Sequence, residues 1–204
     1  MADGGFSVVP LICGQCAERM TADKEQVAYQ CRGCGRVWEL SGGGLVQKEV
    51  IHFAGSGDVR LPFWYASFKI NSLEGVIHDN AGFMKMCGSV KTKAAFADPP
   101  FVFVPAFSLP PQQAIRLGRN MVVRFPLFSQ SPMPFQPIRP VTVAEADARL
   151  LAELILLAAA VEDRRNNPSF LVSFGVELFG MHLVSIPFRS EGVRLLQPEM
   201  NLEV

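Results

Sequence analysis

The sequence predicts an α+β fold: a small N-terminal β unit built on cysteines, then a mixed domain of mainly antiparallel strands with one long buried helix. Three observations carry that expectation. Four of the five cysteines stand as two Cys-x-x-Cys pairs near the N-terminus. Short runs of β-branched and aromatic residues, separated by Gly- and Pro-rich breaks, recur through the rest of the chain. A stretch of strong helix formers, Ala144 to Val161, interrupts them.

Taken in order, residues 1–10 read as a flexible tail and residues 11–40 as the cysteine unit. Residues 41–45, with Ser41-Gly42-Gly43-Gly44, read as a Gly-rich hinge, and 46–204 as the α+β domain. Val46–Ala54 and Leu61–Ile70 have strand composition, with Gly55-Ser56-Gly57-Asp58 as a turn between them. Phe101–Val104 and Met121–Phe125 are further short strands. Pro99-Pro100, Pro110-Pro111 and the Pro-rich run 126–140 separate elements, because proline cannot donate to a central ladder. Thr142-Val-Ala-Glu145 matches a capping box at the start of the helix. Asp147 adds first-turn negative charge, and Asp163-Arg-Arg-Asn-Asn-Pro168 ends the helix. The later half of that helix is apolar nearly all round, which predicts burial on most sides. Phe170–Phe179 and Met181–Phe188 then read as two strands of a hairpin joined near Gly180.

Composition bounds the function. The 204 residues are 49% hydrophobic and 19% charged, which excludes a disordered chain. A chain of this length removes roughly 70% of its unfolded surface from water. Nineteen basic and nineteen acidic side chains cancel, which disfavours nucleic-acid binding through bulk charge. Sixteen Phe against two Tyr and two Trp point to an aromatic-rich core or an adhesive surface. Leu61-Pro-Phe-Trp64, Val104-Pro-Ala-Phe107 and Ile186-Pro-Phe-Arg189 each set a proline beside an aromatic at a strand end. They read either as edge positions presenting aromatics to a partner or as coincidence in a Pro- and Phe-rich chain.

The chemistry lies in Cys13, Cys16, Cys31 and Cys34. Each Cys-x-x-Cys turn delivers two thiolates to one side of a metal, and two turns complete a tetrahedron. The fourteen residues between Cys16 and Cys31 suffice for a hairpin that brings the turns face to face. No basic start or long apolar run at the N-terminus marks a signal peptide, so the thiols are expected in a reducing cytoplasm. The longest apolar stretch, Leu154–Val161, is too short to cross a bilayer. Gly35 follows the second pair, where a residue tolerant of positive φ is needed; Ala17 stands at the corresponding place after the first. Arg19, Lys24, Arg32 and Arg36 lie close enough in sequence to offset the excess negative charge of four thiolates around a divalent ion.

With Val27–Gln30 leading into the second pair as a strand and Val37–Leu40 leaving it as another, residues 11–40 resemble the zinc ribbon family. The resemblance implies one structural zinc ion on the four cysteines and a site closed to substrate. Rubredoxin-like iron sites use the same four thiolates, but no second redox centre accompanies this one.

Nothing else in the chain forms a recognised catalytic pattern. His52, His78 and His182 have no ligand spacing, and His78-Asp79 reads as a solvated turn. Gly55–Asp58 lacks the Lys-Ser/Thr of a phosphate loop, and Glu145, Asp147 and Glu153 complement a helix dipole and a solvated face. Cys87 reads as a small buried hydrophobe. The expected function is therefore a non-catalytic adaptor that binds another protein. Two alternatives stand beside it: a nucleic-acid-associated ribbon of transcription or translation, and a rubredoxin-like iron electron carrier. The former would use Arg19, Lys24, Arg32, Arg36, Tyr29 and Trp38, diluted by Glu18, Asp23, Glu25 and Glu39.

Overall fold

The computed structural model describes residues 9–41, 43–72, 75–87, 100–124, 129–132, 136–161, 174–192, 194–197 and 202–204. It is α+β. A three-stranded antiparallel sheet, β1 (Ala28–Gln30), β2 (Val37–Ser41) and β3 (Gly44–Lys48), adjoins the four cysteines. A seven-stranded sheet follows: β4 (Val50–His52), β5 (Val59–Ser72), β6 (Gly75–Ile77), β7 (Phe101–Pro105), β8 (Gly175–Glu191), β9 (Arg194–Gln197) and β10 (Leu202–Glu203). The helices are α1 (Asn80–Met86), α2 (Pro111–Arg124) and α3 (Glu145–Val161). The tail residues 1–8 and the expected helix stop at 163–168 fall outside the described residues.

β5 and β8 form the antiparallel spine of the large sheet, in register from Val59↔Phe188 to Asn71↔Gly175. β6 and β7 pair with the free side of β5; β9 and the parallel β4 pair with the free side of β8. Because side chains alternate along a strand, β5 feeds two cores. Trp64, Ala66, Phe68 and Ile70 join the cluster that holds Ala148, Ala152, Ile155, Leu156, Ala159 and Ala160 of α3. Leu61 and Phe63 join Phe103, Phe107, Leu117, Met121, Ile186 and Phe188. The small alanines of α3 let its backbone lie close to the sheet, while Leu150 and Leu154 on the same helix face solvent.

Four sequence expectations change. Residues 41–45 do not form a hinge: Ser41 pairs with Gly44 at the tip of the β2–β3 hairpin, where Gly43 takes a positive φ of 98°. Residues 121–124 are the last turn of α2, not a strand, because Ala114, Leu117, Gly118, Met121 and Val122 recur at helical spacing. Residues 175–191 are one strand. Gly180, at φ 61°, sits in a bulge where Phe179 faces Ser67 and His182 faces Tyr65, so an extra residue on β8 is absorbed without reversing the chain. The capping box does not form. Helix α3 begins at Glu145, so Thr142 lies too early to cap it; its hydroxyl is buried without a partner, and Glu145 bonds Lys48 and Arg149 instead.

Among the described residues the phenylalanines are mostly core. Phe63, Phe107 and Phe188, one from each Pro-aromatic segment, form a single cluster with Phe63–Phe107 edge-on at 5.6 Å and Phe63–Phe188 stacked at 6.1 Å. All three are buried, so the recurrence serves packing and presents no aromatic to a partner.

Candidate metal centre

Two equivalent turns build the cysteine site. In the first, the amide of Ala17 donates to Cys13 O at 2.9 Å and the amide of Cys13 to Glu18 O at 2.9 Å. In the second, the amide of Gly35 donates to Cys31 O at 2.8 Å and the amide of Cys31 to Arg36 O at 2.8 Å. The bracketing bridges match as well, Ile12↔Arg19 for the first and Gln30↔Val37 for the second. The left-handed residue in each, Ala17 at φ 60° and Gly35 at φ 73°, turns the chain after the second cysteine. Ala17 thus adopts the conformation for which the second turn uses glycine.

The turns face one another. Cys13 Sγ lies 3.5 Å from Cys34 Sγ and Cys16 Sγ lies 3.4 Å from Cys31 Sγ. All four sulfurs fall within 4.8 Å of one another. Zinc–sulfur bonds of about 2.3 Å in a tetrahedron require sulfur–sulfur edges of about 3.8 Å, so the cage is of the size a tetrahedral metal ion needs. Cys13 and Cys31 are buried, Cys34 is half-buried and Cys16 is exposed.

The electrostatics of the cage favour a cation. Burial holds the Cys13 thiol up, but backbone hydrogen bonds from Cys16 and Gln15, with the neighbouring thiols, outweigh it and bring its pKa down to about 6. Cys16 goes the other way, to about 12: the Glu18 backbone lowers it, but the Cys31 sulfur, burial and the remaining sulfurs raise it further. Cys34 is also raised; the Arg36 backbone pulls it down, and burial and the Cys13 sulfur overcome that pull. The four sulfurs thus compete for charge, a conflict that a divalent ion, if bound by Cys13, Cys16, Cys31 and Cys34, would relieve by replacing the protons.

A small apolar cluster supports the cage: Met20, Tyr29 and Trp38 pack with Cys13 and Cys31. Trp38 covers the first turn so closely that a Cβ at Gly14 would lie 2.7 Å from its ring. Burial of Tyr29 and Trp38 removes both rings from the basic and aromatic face that a nucleic-acid role would use. Arg19, Lys24 and Arg32 remain exposed.

The cysteine unit is bonded to the larger sheet. Val27 donates its amide to Val141 O at 2.8 Å, and Gln30 Oε1 accepts from the Ile138 amide at 2.8 Å. Lys48 Nζ joins Glu39 of β2 at 2.9 Å to Glu145 of α3 at 3.3 Å and lies 5.7 Å from the Trp64 ring centroid. Ala28 and Val37 are members of the main core.

The histidines lie apart from this site. Asp79 caps α1, accepting from the Gly82 amide at 2.6 Å. His52 is buried, with Nδ1 2.6 Å from Ser185 Oγ, which also accepts from Arg60 Nε at 3.1 Å. Ser185 has no solvent exposure, and His52, the other member of the pair, borders a cavity of about 310 Å³. Sequence reasoning missed the pair, because 133 residues separate the partners and no local spacing signals the contact.

Among the described residues no helix is long and apolar enough to cross a membrane. Comparison with family models, curated proteins and solved structures gives no match to this chain.

Proposed function

We propose that Cys13, Cys16, Cys31 and Cys34 hold one zinc ion in a zinc-ribbon-type centre, and that the chain is a non-catalytic adaptor for another protein in a reducing cytoplasm. The observation that carries the reading is the four-sulfur cage itself. Protein sulfur supplies every corner of the tetrahedron, which leaves no open position for water or substrate. Zinc suits such a site because it is redox-silent and has no geometric preference of its own beyond charge and ligand packing. The bonds from Val27, Gln30 and Lys48 support a metal that holds the cysteine unit against the sheet as part of one binding body.

The test combines metal analysis with partner capture. Protein purified under reducing conditions should carry one equivalent of zinc and no visible chromophore, and Cys13→Ser should lose it. A protein captured from source cells should rebind the purified chain at fixed stoichiometry. Bound iron with reversible reduction, or the absence of both metal and partner, would sink the reading.

A further inference from the structure

The seam between the cysteine unit and the larger sheet opens into an apolar groove of about 400 Å³. Its wall includes Phe107 and Leu109 after β7 and Leu150, Leu151 and Leu154 of α3. Leu150 and Leu154, one helical turn apart, are 64% and 50% exposed. Helix α3 thus leaves two leucines in water beside a concave apolar surface, an arrangement that favours a ligand able to cover them. Among the described residues, the charged groups of this wall are both acidic. Glu25 comes from the loop between the cysteine pairs, and Asp147 from the first turn of α3. Neither carboxylate has an ionic partner among the described residues.

An apolar floor with two unneutralised carboxylates selects by charge as well as by shape. It repels phosphate backbones and attracts a cation carried beside an apolar group. The groove also continues: a second cavity of about 360 Å³ shares Glu25, Phe107, Ser108 and Thr142 with it and adds Asp23, Lys24 and Arg139. That extension carries both signs of charge and so offers length without further charge selection. A path of this kind fits a stretch of polypeptide better than a compact solute.

We propose that this groove binds a short peptide segment of a protein partner, with a Leu-sized side chain on the leucine floor and a neighbouring Lys or Arg answering Glu25 and Asp147. The inference rests on the adaptor reading and names the chemistry of the partner it takes. Because Glu25 belongs to the cysteine unit and Asp147 to α3, the site is complete only while the two are docked.

A library of short random peptides, selected on the intact zinc-loaded chain, tests the proposal. Enriched peptides should place Leu, Ile, Met or Phe within two positions of Lys or Arg. Their affinity, read by fluorescence anisotropy, should fall by about tenfold or more in Leu150→Glu/Leu154→Glu and in Glu25→Lys/Asp147→Lys. These side chains are exposed, so the variants should keep the wild-type circular dichroism. No enrichment, enrichment without basic residues, or affinities unmoved in either variant would overturn the proposal. So would a wild-type dimer that Leu150→Glu/Leu154→Glu turns into a monomer, since a second copy would then cover the groove. Failure here is separable from failure of the adaptor reading: a cellular partner retained equally by both double variants removes the groove alone.

Discussion

Ala17 and Gly35 hold the same left-handed backbone, φ 60° and 73°, at the same step of two equivalent cysteine turns. The amide of each closes its turn onto the first cysteine of its pair. For an L-residue that conformation costs about 1–2 kcal/mol, while glycine pays about 0.5–1 kcal/mol in unfolded-state entropy. Ala17→Gly should therefore stabilise the protein by about 0.5 kcal/mol, and Gly35→Ala should destabilise it by about 1 kcal/mol. Denaturant titration of the zinc-loaded protein at fixed metal concentration reads both.

Metal removal should reach beyond the cysteine unit. Ala28 and Val37 belong to the main core, and Val27 and Gln30 bond the segment that leads into α3. Calorimetry of native protein should show one cooperative transition, which chelation or Cys13→Ser moves to lower temperature as a whole. Two independent transitions, with the second untouched by chelation, would mean that the cysteine unit behaves as a separate tethered module.

Lys48 ties the two sheets through Glu39 and Glu145, and its linkage to pH has a defined sign. Burial lowers the Lys48 pKa, but Glu39 and Glu145 outweigh it and the net shift is upward; its contribution is present below about 10.5 and lost as pH rises through the folded value. Burial raises the Glu145 pKa, but Arg149 and Lys48 pull it down on balance, so its contribution is present above about 4.5 and lost as pH falls further. Both partners are partly exposed, which limits the pair to about 1 kcal/mol. Lys48→Met should cost about that much at neutral pH and progressively less below pH 4, as followed by thermal melts across pH.

Much of this architecture is legible along the chain where the information is local. The Cys-x-x-Cys spacing forces two turns whatever surrounds them, and the β-branched and aromatic run Leu61–Ile70 lies wholly within β5. Helix α3 is legible because Ala144–Val161 lacks any breaker. Helix α2 is not, because Pro110-Pro111 reads as a separator although proline is well suited to the first turn of a helix. The buried stripe Ala114, Leu117, Gly118, Met121 and Val122 carried the periodic signal that the proline masked. Gly180 misleads for a related reason: a positive φ serves a bulge as readily as a turn, and only the pairing with β5 decides between them. The groove beside α3 and the His52–Ser185–Arg60 cluster arise from elements distant in sequence, so no window of residues contains them.

At Gly118 helix α2 lies close against its neighbours. A Cβ there would sit 2.3 Å from Ile155 Cδ1 and 2.9 Å from the Phe103 carbonyl oxygen. Alanine would gain about 1 kcal/mol of helix propensity, but the Phe103 backbone cannot yield and overpacking costs about 1–3 kcal/mol. Gly118→Ala should therefore lower stability by about 1 kcal/mol, measured by urea unfolding. A neutral or stabilising result would show that α2 and β7 separate freely.

The buried polar cluster behind β4 supplies a second pH dependence. Ser185 Oγ accepts from Arg60 Nε and meets His52 Nδ1, so its hydroxyl proton is available to a neutral imidazole. Burial, with Arg60 nearby, brings the His52 pKa down to about 4. The unfolded chain binds a proton near pH 6.5 that the folded chain refuses until about pH 4, so His52 favours the fold above pH 6.5 and that contribution is lost between those values. The His52 ring resonance should accordingly remain in its neutral form down to pH 5 in an NMR titration. Ser185→Ala removes the shared oxygen and leaves Arg60 Nε and His52 Nδ1 without it, at a cost of about 1–3 kcal/mol. A His52 midpoint near 6.5 in the wild type, or a Ser185→Ala protein as stable as wild type, would show that the cluster is open to water.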